Sequence, residues 1–296
     1  MSMAWRILVT GATGCLGREI VKRLHQREVD FVAACRQDSI FPEEIRNLTV
    51  NYESPAVLDQ AFREIDLLFL LIPFAEDMKQ WARNAIRAAQ KAGVKLIVRP
   101  SVVGADIESP YLWLRTEGEI NKLLQESGIP SVIVKGTGFM QNYSRLYGDA
   151  LKQGNLFLPE GEGRVAYLDA RDLAAVCAEI LVNPFQHIGR DYEVTGPRAI
   201  SNAEALRLLS LAARRRISYI PVTEEATRKA LSKAGASRWW TEFVLSRHLS
   251  NRDGIGELVT STIEEILGRQ PLTFEEYCDE VAEEFQSPAQ NLGLRS

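Results

Sequence analysis

The sequence predicts an α/β fold, a parallel sheet with helices on both faces, plus a small, mainly helical C-terminal lobe. Three observations predict it. Short apolar runs alternate with segments of helical periodicity through the first half of the chain. The glycine-rich stretch "GATGCLG", Gly11 to Gly17, stands directly behind the apolar run "RILVT". Beyond Lys135 the alternation gives way to a mostly helical pattern. Strands that are apolar throughout and separated by helices are covered on both faces, as in a parallel sheet.

The elements follow in order. "RILVT" is the first strand, and Leu16, Ile20, Val21 and Leu24 make the apolar stripe of the helix behind it. "FVAAC" and "LTVNY" are further strands, a short helix carries Val57, Leu58 and Phe62, and "LLFLLI" is a fully apolar strand. Met78, Trp81, Ala85, Ile86 and Ala89 form the next stripe, ending at Gly93, and "VKLIV" and "SVIVK" continue the sheet. Ser109 is placed to cap a helix with Pro110 at its first position, and Gly128 to end it. "NLFLPEGEGRVAYLDARDLAAVCAEIL" reads as a hairpin-like stretch and a helix beginning near Leu173, and "YEVTGP" as another strand. Ser201 with Glu204, and Thr273 with Glu276, have capping-box spacing. The run Arg214 to Arg216 reads as a helix end.

Composition excludes several function classes. The 296 residues are 46% hydrophobic and 25% charged, an ordinary globular balance. A net charge of −4 argues against direct nucleic-acid binding. The apolar runs fall short of the ~20 residues that span a bilayer, and the N-terminus enters a strand without a leader, so a cytoplasmic protein is expected. Cys15, Cys35, Cys177 and Cys278 are scattered without a Cys-x-x-Cys pair, and His25, His187 and His248 are equally dispersed. Neither a metal site nor a catalytic triad is expected.

The glycine turn carries the chemistry. Between a strand and an amphipathic helix, Gly11 permits a tight turn, Gly14 lets the backbone approach a pyrophosphate, and Gly17 allows close helix–strand packing. This is the pattern of a dinucleotide site. The end of the second strand, where the ribose is read, carries Arg36 in "ACRQDS". A guanidinium pairs with a 2′-phosphate, which points to NADP(H), with NADPH preferred over NADH. Asp38 nearby is the alternative, a partner for a free ribose hydroxyl. Ligands of such sheets lie beyond the carboxyl ends of the strands, which adds Pro73 and Phe74, Ser101, and the "GTGFMQN" loop.

The segments "GATGCLG", "LLFLLIP", "SGIPSVIVKGTGFMQN", "YLDARDLAAV", "YEVTGP" and "ILGRQPLTFEEY" resemble, in order, the signatures of the NmrA-like family of atypical short-chain dehydrogenase/reductases. The resemblance runs from about Arg6 to Phe285. It implies an extended Rossmann fold: residues 1–135 an NADP-binding core, residues 136–296 a mixed segment that returns strands to the core and forms a small substrate lobe, intertwined as one unit. Residues expected at the cofactor are Gly11, Thr13, Gly14, Cys15, Leu16, Gly17, Arg36, Ile72, Pro73, Ser101, Gly138 and Phe139. Phe74, Trp113, Phe139, Asn142 and Tyr143 are expected at the substrate. The family includes NADPH-dependent reductases of quinones, dyes and phenylpropanoids, and transcriptional co-regulators that bind a dinucleotide without turnover.

The chain departs from relatives where catalysis is concerned. The usual Tyr-x-x-x-Lys pair is represented only by Tyr111 and Arg115, and the position of a Lys or His in many relatives falls on Glu117. A relative's Glu one turn on is Asn121 here, and a frequent Arg-Pro reads Lys135-Gly136. Reduction of a carbonyl or quinone needs a donor for the developing oxyanion. The candidates are Ser101, Tyr111 made more acidic by Arg115, and Glu117 as a proton donor with a raised pKa if buried. Trp113, Glu117 and Asn121 share one helix face. Against this, Glu117 reads equally as a solvated carboxylate, and Arg115 with Glu119 as an exposed ion pair. Asp169, Arg171 and Asp172 are expected to cap a helix and brace the two parts of the chain. Cys15 lies near helix amides that would lower its pKa, or else fills space. The expected function is an NADPH-dependent reductase of a hydrophobic quinone, carbonyl or enone, acting as a monomer or homodimer without membrane attachment. The alternative is a dinucleotide-sensing regulator.

Overall fold

The computed structural model describes residues 5–36 and 41–286. β1 (Ile7–Thr10) leads through the glycine turn into α1 (Cys15–Gln26). Then come β2 (Phe31–Cys35), β3 (Asn47–Thr49), α2 (Pro55–Ala61), β4 (Leu67–Phe69), α3 (Met78–Ala92), β5 (Leu96–Val102), α4 (Leu112–Gln125) and β6 (Ser131–Gly136). After these, α5 (Asn142–Arg145), α6 (Gly148–Lys152), β7 (Asn155–Leu158), β8 (Arg164–Val165), α7 (Ala170–Val182) and β9 (Asp191–Val194) follow. The chain continues through β10 (Ile200–Ser201), α8 (Asn202–Ala212), β11 (Ser218–Pro221), α9 (Glu224–Lys233), α10 (Arg238–Arg252), α11 (Thr262–Leu267) and α12 (Phe274–Val281).

The main sheet has seven strands in the order β3-β2-β1-β4-β5-β6-β9, every pair parallel. The order reverses at β1, which carries the glycine turn. One face packs Val9, Val98 and Val134 against Ile20 and Leu24 of α1 and Leu173, Cys177 and Leu181 of α7. The other packs Leu8, Leu68, Ile97 and Ile133 against Leu58, Ala85, Ala89, Ile120 and Leu124 from α2, α3 and α4. Each such Leu or Ile taken from water contributes roughly 1.5–3 kcal/mol. Both sides of the sheet are therefore dry, which explains the unbroken apolar strands.

A third cluster, with Met140, Tyr143, Leu156, Tyr167, Leu206, Phe274 and Tyr277, forms the C-terminal lobe. Its first stretch does not form the hairpin that the sequence suggests. β7 pairs parallel with β11 and β8 pairs antiparallel with β10, so distant segments supply the partners. Two helix starts also differ from expectation. α4 begins at Leu112, because Tyr111 stays extended (φ −85°, ψ 121°) while its N–H donates to Ser109 Oγ at 3.3 Å. α7 begins at Ala170, where Asp169 accepts from the Arg171 N–H at 2.8 Å. The Thr273–Glu276 capping box closes in both directions. At Ser201 only the first half forms, since the Glu204 carboxylate turns to Arg198 and Arg164.

Charged pairs brace the lobe to the sheet domain. Fully buried Asp172 on α7 accepts from Arg269 at 2.6 Å and from the Leu272 N–H at 2.7 Å. Arg171 bridges Asp169 and Glu280. α9 is different in kind. It buries no residue, and Arg228–Glu242 and Arg252–Glu224 tie it to α10.

Candidate dinucleotide and substrate site

The turn after β1 is built for close backbone approach. Gly11 holds φ +66°, and a Cβ on Gly17 would stand 2.1 Å from the Gly11 carbonyl oxygen. The packing of α1 on β1 therefore requires glycine at position 17. Among the described residues a Cβ on Gly14 would meet only the Gly11 oxygen, at 3.2 Å, and position 14 is exposed. Among the described residues no side chain caps α1, and its first turn carries no acidic residue. A helix N-terminus without a capping carboxylate or hydroxyl has amide donors and a positive dipole end available for an anion. These features fit a pyrophosphate. The Thr13 carbonyl accepts from Arg18 Nε at 2.8 Å, which ties the turn to α1, and Leu16 is buried in the core beneath it.

Cys15 lies half-buried at the start of α1. Burial raises its pKa, with Arg145 partly opposing and Asp169 and Glu19 adding to the rise, so the thiol is not made more acidic as the helix amides led one to expect. Arg36 is exposed at the end of β2, close enough for its charge to act on Tyr52. Burial pushes the Tyr52 phenol up to about 12, and its hydroxyl donates to the Leu71 carbonyl at 2.9 Å. Asp38, the alternative ribose partner, lies outside the described residues.

Thr10 clamps the β1–β4 edge. Its Oγ1 donates to the Phe69 carbonyl and accepts from the Leu71 N–H, both at 2.9 Å. From there the chain passes buried Ile72 and half-buried Pro73 to Phe74, which is 50% exposed. The "GTGFMQN" loop after β6 is pinned to the segment before α7. Phe139 bridges to Leu168 in parallel fashion, Gly138 accepts from the Leu168 N–H at 2.9 Å, and Gln141 Oε1 accepts from the Ala170 N–H at 2.9 Å. The loop and the start of α7 are thus tied together by backbone and side-chain hydrogen bonds.

The structure brings Ser101, Glu117 and Asn121 together and adds Arg99, which the sequence reading missed. Arg99 Nη2 donates to Glu117 Oε2 at 2.7 Å, and Nη1 donates to Asn121 Oδ1. Asn121 Nδ2 donates to Ser101 Oγ at 2.9 Å, and Ser101 Oγ donates to Glu117 Oε2 at 3.3 Å. All four residues are buried. Glu117 is thus the counter-charge of a strand arginine. A lone arginine inside the apolar strand "KLIVRP" was the available signal, since a buried guanidinium demands a partner.

The other candidates divide. Phe74 and Trp113 meet edge to face with centroids 5.3 Å apart, and Phe243 of α10 packs on both. Tyr111 does not gain acidity from Arg115. Its hydroxyl donates to Asp253, which raises the phenol pKa, while Arg115 reaches the Ser109 carbonyl at 2.6 Å. Glu119 pairs with Lys79 of α3 instead of Arg115. Asn142, half-buried, starts α5, and its neighbour Tyr143 is only 1% exposed, donating to Asn202 at 2.7 Å inside the lobe. Burial holds the Tyr143 phenol well above its usual pKa. Asn202 in turn donates to Glu160, which also accepts from His248. Among the described residues no helix is long and apolar enough to cross a membrane.

The model of the NmrA-like family matches residues 3–278. An NAD(P)H azoreductase of Xenophilus azovorans is 32% identical over 276 residues, covering 92% of this chain and 96% of that protein. Among solved structures, the NADPH-dependent quinone oxidoreductase of Escherichia coli, complexed with NADPH, superposes with a TM-score of 0.81 at 25% identity, covering 93% of this chain and 99% of that one. The negative transcriptional regulator NmrA, complexed with NAD, superposes with a TM-score of 0.76 at 17% identity, covering 95% and 96%.

Proposed function

From the premise that the chain belongs to the NmrA-like family, we propose that it is an NADPH-dependent reductase of flat, hydrophobic acceptors of the quinone, carbonyl or enone type. One observation carries the reading. The uncapped N-terminus of α1 and the Phe74–Trp113 pair follow the carboxyl ends of strands of one parallel sheet, and Ser101 stands one residue before the carboxyl end of β5 in the same sheet. The turn at Gly11 and Gly14 receives the pyrophosphate while Gly17 packs α1 on β1, and Arg36 receives the 2′-phosphate. Bound NADPH supplies a hydride, and the acceptor takes that hydride together with one proton. The Phe74 and Trp113 rings hold a planar acceptor, and Ser101 supplies a hydrogen bond to the oxygen that gains charge. The reductase names of the azoreductase and quinone oxidoreductase relatives support the same reading. The likeness to the NmrA regulator, at 17% identity, is one of fold alone.

The test is NADPH oxidation by the purified chain against a panel of quinones, aldehydes, enones and azo dyes. Turnover of at least one class is expected. Tight NADPH binding without turnover of any would replace the enzyme with a sensor.

A further inference from the structure

Arg99 stands on β5, between β4 and β6, with its side chain only 3% exposed. Burying a guanidinium is costly, and a well-packed apolar side chain would fill the same space more cheaply. Among the described residues its Nε finds no partner. A purely stabilising role is a poor explanation for such a residue.

The pattern of its bonds gives a better one. A guanidinium has only donors. The Asn121 oxygen therefore faces Arg99, and the Asn121 NH₂ group must face the other way, where it donates to Ser101 Oγ at 2.9 Å. That bond occupies a lone pair of Oγ and leaves the Ser101 proton to be donated. Its present acceptor is Glu117 Oε2, at 3.3 Å. Hydroxyl–carboxylate bonds usually lie near 2.5–2.7 Å, so this one is long and easily exchanged for a better acceptor. Donation thus runs one way, from Arg99 through Asn121 to Ser101. Arg99 also holds Glu117 by the direct 2.7 Å bond, which keeps the carboxylate from closing on Ser101.

We infer that Arg99 is a positioning residue for the reduction: acting through Asn121, it fixes the Ser101 hydroxyl as a hydrogen-bond donor to the substrate oxygen. The inference rests on the reductase reading above. It assigns Arg99 and Asn121 no contact with substrate or cofactor.

The test is a kinetic double-mutant cycle on the full chain, with NADPH and a benzoquinone. Asn121→Asp keeps size and an oxygen toward Arg99 but replaces the donor to Ser101 with an acceptor. Its kcat should fall by ~10², the scale of losing one oxyanion donor, while KM and NADPH affinity hold within about twofold. In a Ser101→Ala background the same substitution should change kcat by less than about twofold, because the two residues act as one unit. If Asn121→Asp does not fold, the pair R99M/E117L, which removes both buried charges together, takes its place in the cycle. Multiplicative losses in the two backgrounds, or an unchanged kcat, would overturn the inference and leave the reductase reading intact. Absence of turnover by the parent chain would overturn both.

Discussion

His248 Nδ1 lies 2.6 Å from Glu160 Oε1 inside the C-terminal lobe, with both side chains 4% exposed or less. The pair joins α10 to the turn after β7, and Asn251 and Asn202 also donate to the same carboxylate. Burial lowers the His248 pKa below its ordinary 6.5, against the pull of Glu160, so the native imidazole is neutral. Burial pushes the Glu160 carboxyl up, but the bond from His248 and the nearby Arg247 charge, with a smaller part from Asn251, outweigh it and leave its pKa below 4.5.

The two groups act on stability in the same direction. Below pH 6.5 the unfolded chain protonates its histidine before native His248 does, so stability falls as pH drops from there. Glu160 contributes stability above 4.5, lost as pH falls through its lower native value. Thermal unfolding of the parent and of His248→Gln from pH 8 to 4 checks this. The parent's advantage should shrink below about pH 6.5. Parallel curves would mean that the native imidazole is not held neutral.

Arg36→Ala should weaken NADPH selectively. Loss of a charge-assisted contact to the 2′-phosphate costs about 1.5–3 kcal/mol, roughly tenfold to a hundredfold in affinity, and NADH should hardly change. Calorimetric titration with both cofactors decides it, and an equal loss for both would remove Arg36 from the phosphate.

The glycine turn yields paired expectations. Gly14→Val should abolish dinucleotide binding in a folded protein, because the added Cβ meets only one atom within 4 Å while the larger side chain fills the approach to the turn. Gly17→Ala should unfold or strongly destabilise the chain, because its Cβ would overlap Gly11 backbone at 2.1 Å. Circular dichroism and cofactor titration of both variants separate the two roles. Binding retained by folded Gly14→Val would move the phosphates off this turn.

Glu117→Leu strands the Arg99 charge in the core. Breaking such a pair costs about 3–5 kcal/mol, whereas Arg99→Met with Glu117→Leu removes both charges and should return most of it. Urea unfolding of the two singles and the double measures the coupling. Additive losses would mean that the 2.7 Å pair contributes nothing as a pair.

What the sequence disclosed was local. The glycine turn, the stripe Leu16–Ile20–Leu24 and the Thr273–Glu276 box all lie within a few residues of the partners that define them. Ser101, Glu117 and Asn121 were legible as candidates because helix spacing puts the last two on one face. Their chemistry was not, since Arg99 reaches Glu117 and Asn121 across 18 and 22 residues of chain. Glu160 and His248 are 88 residues apart, and no periodicity announces a pair closed only by tertiary packing. Arg115 and Glu119 show the reverse error. Their helical spacing was favourable, but the Ser109 carbonyl and Lys79 lay closer.

α9 leaves the molecule with a place that tolerates change. With no side chain in any core, it contributes little to the global unfolding free energy, and its own opening is governed by surface charges that salt screens. Backbone amides of Glu224–Lys233 should exchange with solvent faster than those of α10, and faster still in salt. An affinity tag or fluorophore attached to an exposed side chain of this helix should leave the seven-stranded sheet undisturbed. The helix is a natural handle for immobilising the protein.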